Sequence, residues 1–417
     1  MGGEAVKSGR AIPQPEVPVK PKTKVPTKPT TPLVVSFGRA VERFFPPCVL
    51  QQVTGECEPK NYARRIDAPR CVLAFARSFF MLLPGLRDIA DKYGDDIGTR
   101  NISTISYALR SSWLRRVAEA MIRRMGDCAY RDDELVALDS MCNAISNKRR
   151  HHCKKINRQV GGVSVLWAFR VAARAGETAV EILCFAEGAT HDTLLIPTIQ
   201  LAARRPVYLM DRGFYCLDLI AKWLIEGVRF IVRVKSGDLI YTAVESYMSK
   251  PFWLRARTGK SRRKSGVLVI FDGLALLGAP GRRGQRPLVR LIVGQLESGE
   301  SLILASGEMN WAASRLLESY GQRWEIEKWH RIVKRVLGLA HVYSFQSEGL
   351  MLLTRAVMLL ALLLLSEETG RAAAAAPTGE RLKALIKAAR KLDGLHHPWI
   401  PNTSGKGWPK KRYPKAA

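Results

Sequence analysis

The stretch PVYLMDRGFYCLDLIAKWLIEGVRFIVRVK, residues 206–235, predicts a strand, a helix and a second strand. Its two ends, 206–211 and 228–235, are short apolar runs, whereas the middle, 214–227, is long enough for a helix. A strand, a helix and a strand in this order give a pair of parallel strands. The sequence therefore predicts an α/β fold built around this unit.

Three short apolar runs precede that unit at 134–139, 164–173 and 178–188, and each predicts a strand. A helical pattern at 192–204 then leads into the stretch quoted above. The resulting order, β-β-β-α-β-α-β, is that of a ribonuclease H-like sheet, in which three antiparallel strands precede two parallel ones. We therefore expect a ribonuclease H-like catalytic domain, with its first and fourth strands as neighbours.

A β-rich segment, residues 237–305, interrupts this order before the next helix. Its loops are strongly basic, and we expect the first of them to bind DNA. The basic side chains of that loop are Lys260, Arg262, Arg263 and Lys264; a second loop carries Arg282, Arg283 and Arg286.

The chain divides into five predicted parts. They are a disordered arm rich in Pro and Lys (1–35), a helical DNA-binding domain (36–130), the catalytic domain (131–236 and 306–370), the β-rich insertion (237–305), and a C-terminal helix with a basic tail (371–417). In the helical domain, Arg115 and Arg116 lie on a basic helix that follows a turn, a pattern typical of units that bind DNA. A plain helical packing domain is an equally open interpretation.

The charge balance predicts a polyanionic partner. The chain has 66 Lys and Arg against 37 Asp and Glu, a formal charge of +29. Double-stranded DNA is favoured over a membrane surface, because no basic cluster flanks a spanning segment. The apolar run at 349–365 is interrupted by Arg355, so we expect a buried core helix there. Since no signal peptide pattern begins the chain, we expect a cytoplasmic protein associated with the bacterial nucleoid.

Three carboxylates are candidate metal ligands. Asp139 and Asp211 end the first and fourth predicted strands, and Glu327 lies on the helix after the insertion. Carboxylate oxygens suit Mg²⁺ or Mn²⁺, and a pair of such ions can drive in-line displacement at phosphorus. The eight cysteines and seven histidines show no zinc-ligand spacing. Taken singly, Asp139 could equally cap a strand and Asp211 could be a turn residue.

The stretch YGQRWEIEKWHRIVK, residues 320–334, places four polar residues on one face of a predicted helix. They are Tyr320, Arg323, Glu327 and Lys334, at spacings of three, four and seven residues. Taken alone, such a stripe is more often a solvated charged face than a functional one. Tyr320, Arg323 and Lys334 could hold phosphates beside the scissile bond, and Arg suits bidentate contact. His330 lies close to the same face, with a DNA-contacting role and a packing role both open.

These residues resemble the DDE transposases of bacterial insertion sequences, the insertion-sequence-four type. Its Y-x2-R-x3-E-x6-K signature is intact at residues 320–334, and the sequences ALDS, GATHD and LMDRGF resemble its aspartate motifs and the block between them. The resemblance covers roughly residues 80–365. It implies catalysis by Asp139, Asp211 and Glu327 with two Mg²⁺ or Mn²⁺ ions.

The resemblance also implies cut-and-paste transposition. A homodimer would bind terminal inverted repeats, cut through hairpin ends and join the transposon to target DNA, and the insertion would help hold the hairpin. Trp324 and Trp253 could then stack on a flipped base, or either could belong to the core. Two other classes stay open: a ribonuclease H-like nuclease or resolvase without strand transfer, and a noncatalytic DNA-binding protein.

Overall fold

The computed structural model describes residues 37–57, 66–81, 83, 85–126, 129–144, 154, 161–174, 177–256, 265–281, 285–339, 344, 346–366 and 378–392. The segment before the sheet is helical, as predicted. Its helices are α1 (Phe37–Phe44), α2 (Pro47–Glu56), α3 (Ala68–Phe80), α4 (Leu86–Tyr93), α5 (Ile102–Arg110) and α6 (Ser112–Arg123).

Side-chain caps fix the last two of these helices. The Asn101 side chain accepts hydrogen bonds from the backbone N–H groups of Ser103 and Thr104, which begins α5. Ser111 ends α5 and its hydroxyl accepts from the Leu114 N–H, which begins α6. The two helices are therefore separated by a single capping residue.

One large mixed sheet dominates the rest of the chain. Its strand order is β3-β2-β1-β4-β5-β10-β9-β8-β6, with β7 paired to β8. The strands are β1 (Leu135–Ala144), β2 (Gly162–Arg170), β3 (Val180–Glu187), β4 (Val207–Met210), β5 (Arg229–Val234), β6 (Tyr241–Ser246), β7 (Phe252–Ala256), β8 (Ser265–Leu277), β9 (Leu288–Leu296) and β10 (Ser301–Ser306). Because β10 pairs with β5, the predicted insertion extends the same sheet.

The predicted pairing of the first and fourth strands is confirmed. β1 and β4 run parallel, with Leu138 opposite Met210 as their last pair. The expectation that Asp139 ends its strand was wrong, because β1 continues antiparallel to β2 and Asp139 lies opposite Trp167. Asp139 instead marks the point at which the pairing with β4 stops.

The predicted helix at 192–204 is much shorter than expected. Only α7 (Asp192–Leu195) and a 3₁₀ turn (Ile196–Thr198) form there. Pro197 has no backbone N–H to donate, so it favours a break soon after this point. The next helix, α8 (Leu217–Glu226), connects β4 to β5 as predicted.

The helix predicted across 320–334 is divided into three segments. α9 (Ala313–Gly321) ends before a turn at Gln322 and Arg323, α10 (Trp324–Arg331) follows, and Ile332–Val336 is a π-helix. The expectation of one continuous helix was therefore wrong. The apolar back of the segment is nevertheless buried as predicted, at Ile326 and Trp329.

The sheet has a core on each side. Val136 and Leu138 of β1 face α8 with Trp223, whereas the alternating residue Ala137 faces the core that contains the helices. In that core lies α11 (Ser347–Ser366), which is long and apolar enough to cross a membrane, although 83% of its apolar window is buried in the protein. The predicted core helix is thus confirmed.

The last described helix, α12 (Thr378–Leu392), is attached by polar contacts. The Thr378 hydroxyl donates to the carbonyl oxygen of Arg170, 3.0 Å away at the end of β2. The Lys328 ammonium of α10 lies 2.6 Å from Glu325 and 3.2 Å from Glu380 of α12. The helix that carries Glu327 thus lies between β1 and α12.

Candidate active site

Neighbouring strands bring Asp139 and Asp211 together. Asp139 follows Leu138 on β1 and Asp211 follows Met210 on β4, and those two residues pair in register. The Asp211 side chain caps the 3₁₀ turn Arg212–Phe214 by accepting from the Gly213 N–H at 2.7 Å. This cap orients one carboxylate oxygen toward the backbone.

Glu327 approaches Asp139 from α10, and a guanidinium lies between them. Arg323 Nη2 donates to Glu327 Oε1 at 3.0 Å, and its Nη1 lies 3.9 Å from Asp139 Oδ2. Arg323 is only 7% exposed, whereas Asp139 and Glu327 are half-buried, so the guanidinium is the most enclosed member of this ionic cluster. The structure therefore gathers the three predicted carboxylates around one arginine.

Burial governs the protonation of Asp139. It raises the pKa of this carboxyl to about 7; Arg323 opposes the rise, and the carboxylates of Asp211, Asp192 and Glu327 add to it. A carboxyl whose pKa is raised to near neutral pH by burial, with nearby carboxylates adding to the rise, is characteristic of catalytic sites, although structural clusters can also produce it.

The donor chemistry fits a hard divalent cation, because carboxylate oxygens are its preferred ligands. Added positive charge would relieve the repulsion that raises the Asp139 pKa. Within the described ranges, however, no three Asp, Glu, His or Cys side chains stand close enough to hold one ion. The Arg323 guanidinium supplies the positive charge in this arrangement.

Tyr320 precedes Arg323 in the sequence and Trp324 follows it, and both lie close to its side chain. Tyr320 is 3% exposed, and its pKa is raised by this burial, so its hydroxyl lies inside the protein beside Arg323. Trp324 is half-buried, with its ring centroid 5.4 Å from the Arg323 guanidinium carbon. In this structure Trp324 is thus the more accessible of the two predicted DNA contacts.

Lys334 lies in the π-helical segment, close enough to Asp139 for electrostatic coupling. Burial lowers the pKa of its ammonium group, whereas Cys142 and Asp139 oppose that change. His330 places Nδ1 3.6 Å from Asp139 Oδ2. Burial, followed by Lys334 and Arg323, lowers the pKa of His330 to about 3, so the imidazole is neutral at pH 7.

Asp192 is a fourth carboxylate of this site, and no role was predicted for it from the sequence. It begins α7, and burial raises its pKa, with the Ser140 hydroxyl opposing and Asp211 adding. A β-carbon at Gly213 would stand 2.5 Å from Asp192 Oδ2 and 2.9 Å from Asp211 Oδ1. The only indication of Asp192 in the sequence was the GATHD motif. This motif lies in a loop, where no helix or strand periodicity predicts which way a side chain points.

The remaining predicted DNA contacts are spread over the chain. Arg116 is exposed on α6, and Arg115 is half-buried and donates to the Arg110 carbonyl oxygen. Trp253 is 60% exposed on β7. The basic loop residues Lys260, Arg262, Arg263 and Lys264 lie outside the described residues.

Comparison with known proteins identifies a matching family model and structurally similar chains. Residues 175–364 match the family model described as transposase DDE domain, a region that contains Asp211 and Glu327 and begins after Asp139. A piggyBac transposase synaptic complex with hairpin DNA aligns with 9% sequence identity and a TM-score of 0.40, covering 88% of this chain and 84% of that one. No curated protein matches this chain by sequence.

Proposed function

We propose that this enzyme, a DDE transposase by its match to the transposase DDE domain, moves an insertion sequence by cut-and-paste transposition. The observation that carries the proposal is the meeting of Asp139, Asp211 and Glu327 from β1, β4 and α10. Their sequence positions are distant, and neighbouring strands and a packed helix bring them to one edge of the sheet. The intact signature from Tyr320 to Lys334 supports the insertion-sequence-four type.

The proposed site would hold two divalent metal ions through Asp139, Asp211 and Glu327. When bound, Mg²⁺ or Mn²⁺ activates an attacking hydroxyl and stabilises the leaving oxygen at phosphorus. The protein must first deprotonate Asp139, whose pKa of about 7 makes this step sensitive to pH near neutrality. His330 is neutral and buried against Asp139, so it adds no charge that would oppose a cation.

Arg323 and Lys334 would hold the phosphates beside the scissile bond. The planar guanidinium matches two phosphate oxygens at once, whereas the ammonium acts as a point charge. Trp324 would stack on a base displaced from the duplex. Burial of Tyr320 supports a role in fixing Arg323 rather than a direct phosphate contact.

The fold proposal is a ribonuclease H-like catalytic core. It is supported by the order β3-β2-β1-β4-β5, with β1 and β4 parallel and α8 connecting β4 to β5. The strands from β6 to β10 continue that sheet and would support hairpin-ended DNA. The formal charge of +29 supports binding of terminal repeats and target DNA. In this proposal a homodimer binds both.

The test uses the purified full chain with Mg²⁺ and a linear fragment carrying the gene's own flanking DNA. Breaks and joints are mapped at nucleotide resolution for the wild type, Asp211→Asn and the control Asp218→Asn, an exposed carboxylate on α8. We expect paired breaks at inverted repeats and joined products from the wild type and the control, and neither from Asp211→Asn. Breaks without joints would favour a nuclease, and binding without breaks would contradict the proposal.

A further inference from the structure

Arg323 occupies the position where a cation would contact both Asp139 and Glu327. Its two terminal nitrogens face different carboxylates, at 3.9 Å from Asp139 Oδ2 and 3.0 Å from Glu327 Oε1. A divalent ion placed among the same oxygens would stand against this guanidinium, and like charges in a buried site repel strongly. Arg323 and a metal ion therefore compete for the same ligands.

The position of Arg323 in the chain permits it to leave. It lies in the turn between α9 and α10, so reorientation of its side chain does not require either helix to unfold. Its Nε is buried and has no hydrogen-bond partner among the described residues, which makes the present arrangement incomplete. A phosphate group would accept from Nε and a terminal nitrogen together.

We propose that Arg323 is an internal counter-cation, which neutralises the carboxylates in the DNA-free enzyme and yields them to metal when a DNA phosphate attracts it. The inference rests on the proposed function and adds an order of events to it. DNA binding increases metal affinity, and metal binding increases DNA affinity by the same factor, because the two equilibria are linked. The enzyme thereby holds little metal until DNA is present.

The experiment measures Mn²⁺ binding to the full chain by electron paramagnetic resonance at pH 8, with and without a duplex carrying the terminal repeat. Arg323→Gln is compared with Arg331→Gln, which removes the same charge from an exposed position at the end of α10. Asp211→Asn reports the Mn²⁺ held by the duplex itself. Metal binding is read directly, so the result does not depend on DNA cleavage.

We expect DNA to tighten Mn²⁺ binding to the wild type and to Arg331→Gln by a factor of roughly 5–150. Arg323→Gln should bind Mn²⁺ more tightly by a similar factor without DNA, and DNA should then add little. Equal Mn²⁺ affinities of the two glutamine variants without DNA would overturn the inference while leaving the proposed function intact. Absence of Mn²⁺ binding from every variant, with or without DNA, would overturn both.

A second variant, Arg323→Lys, provides a test of the inference if Arg323→Gln does not fold. Arg323→Lys keeps one positive charge but cannot contact both carboxylates at once, so we expect its DNA-free Mn²⁺ affinity to lie between those of the wild type and Arg323→Gln. Thermal unfolding establishes which variants are folded. If Arg323→Gln does not fold, an Mn²⁺ affinity of Arg323→Lys equal to that of the wild type overturns the inference.

Discussion

Asn143 of β1 and Thr354 of α11 are joined by a hydrogen bond inside the core. Asn143 Nδ2 donates to Thr354 Oγ1 at 2.9 Å, and the two residues are 2% and 0% exposed. Asn143 lies four residues after Asp139 on the same strand, so this bond fixes the strand that carries the catalytic candidate against the long apolar helix.

Thr354→Val should lower the free energy of unfolding by about 1–3 kcal/mol, because it leaves the Asn143 amide buried without this partner. Thr354→Ser keeps the hydroxyl and should cost less. Urea denaturation of both variants checks this. A valine variant as stable as the serine variant would show that the bond contributes nothing.

We expect deprotonation of Asp139 to lower the free energy of unfolding as pH rises. Its pKa is about 7 in the folded protein, above the ordinary value of 3.8, so the folded state binds a proton more strongly between these limits. The stabilisation is complete below pH 4 and is lost as pH rises through 7. In metal-free buffer, Asp139→Asn should remove a decrease on the order of 4 kcal/mol in the free energy of unfolding between pH 4 and 8.

The measurement is urea denaturation across this pH range, with Asp238→Asn as the control because Asp238 is an exposed carboxylate. The control should retain the wild-type slope. Identical slopes for the wild type and Asp139→Asn would contradict the assignment of this titration to Asp139.

Gly213→Ala should disturb the site without changing any charge. The added methyl group would meet Asp192 Oδ2 at 2.5 Å and Asp211 Oδ1 at 2.9 Å, so both carboxylates must move. We expect DNA cleavage to fall at least about tenfold, since small displacements of catalytic groups are costly. Gly237→Ala is the matched control, because its methyl group would meet nothing within 4 Å. Equal cleavage rates for the two variants would argue against a role for this loop.

Arg116→Gln should weaken DNA binding through loss of a phosphate contact. Arg116 is exposed on α6, and removal of one such contact should reduce the slope of log affinity against log salt by about 1. Arg87→Gln, which removes an exposed arginine of α4, is the variant whose salt dependence is compared with that of Arg116→Gln. Salt titrations of DNA binding measure both slopes. Unchanged salt dependence in Arg116→Gln would place the DNA on another surface.

The proximity of Asp139 and Asp211 could be predicted, because the order of short apolar runs and the helix between them makes the first and fourth strands neighbours. The extension of β1 to Ala144 could not, since it depends on antiparallel pairing with β2. The turn at Arg323 was also missed, because a spacing of three, four and seven residues fits a continuous helix. Asp192 was missed because its position depends on the loop between β3 and α7.

The segment from Ile332 to Val336 is a π-helix, so the geometry of the site depends on the number of residues in this segment as well as on their identity. Each residue of an α-helix turns the chain by about 100°, and a π-helix accommodates a residue beyond that regular register. Shortening this segment by one residue would restore the register and rotate everything that follows relative to Glu327. The number of residues between Glu327 and Lys334 therefore sets the relative orientation of their side chains. A one-residue deletion in this segment would change that orientation even if it removed no functional side chain.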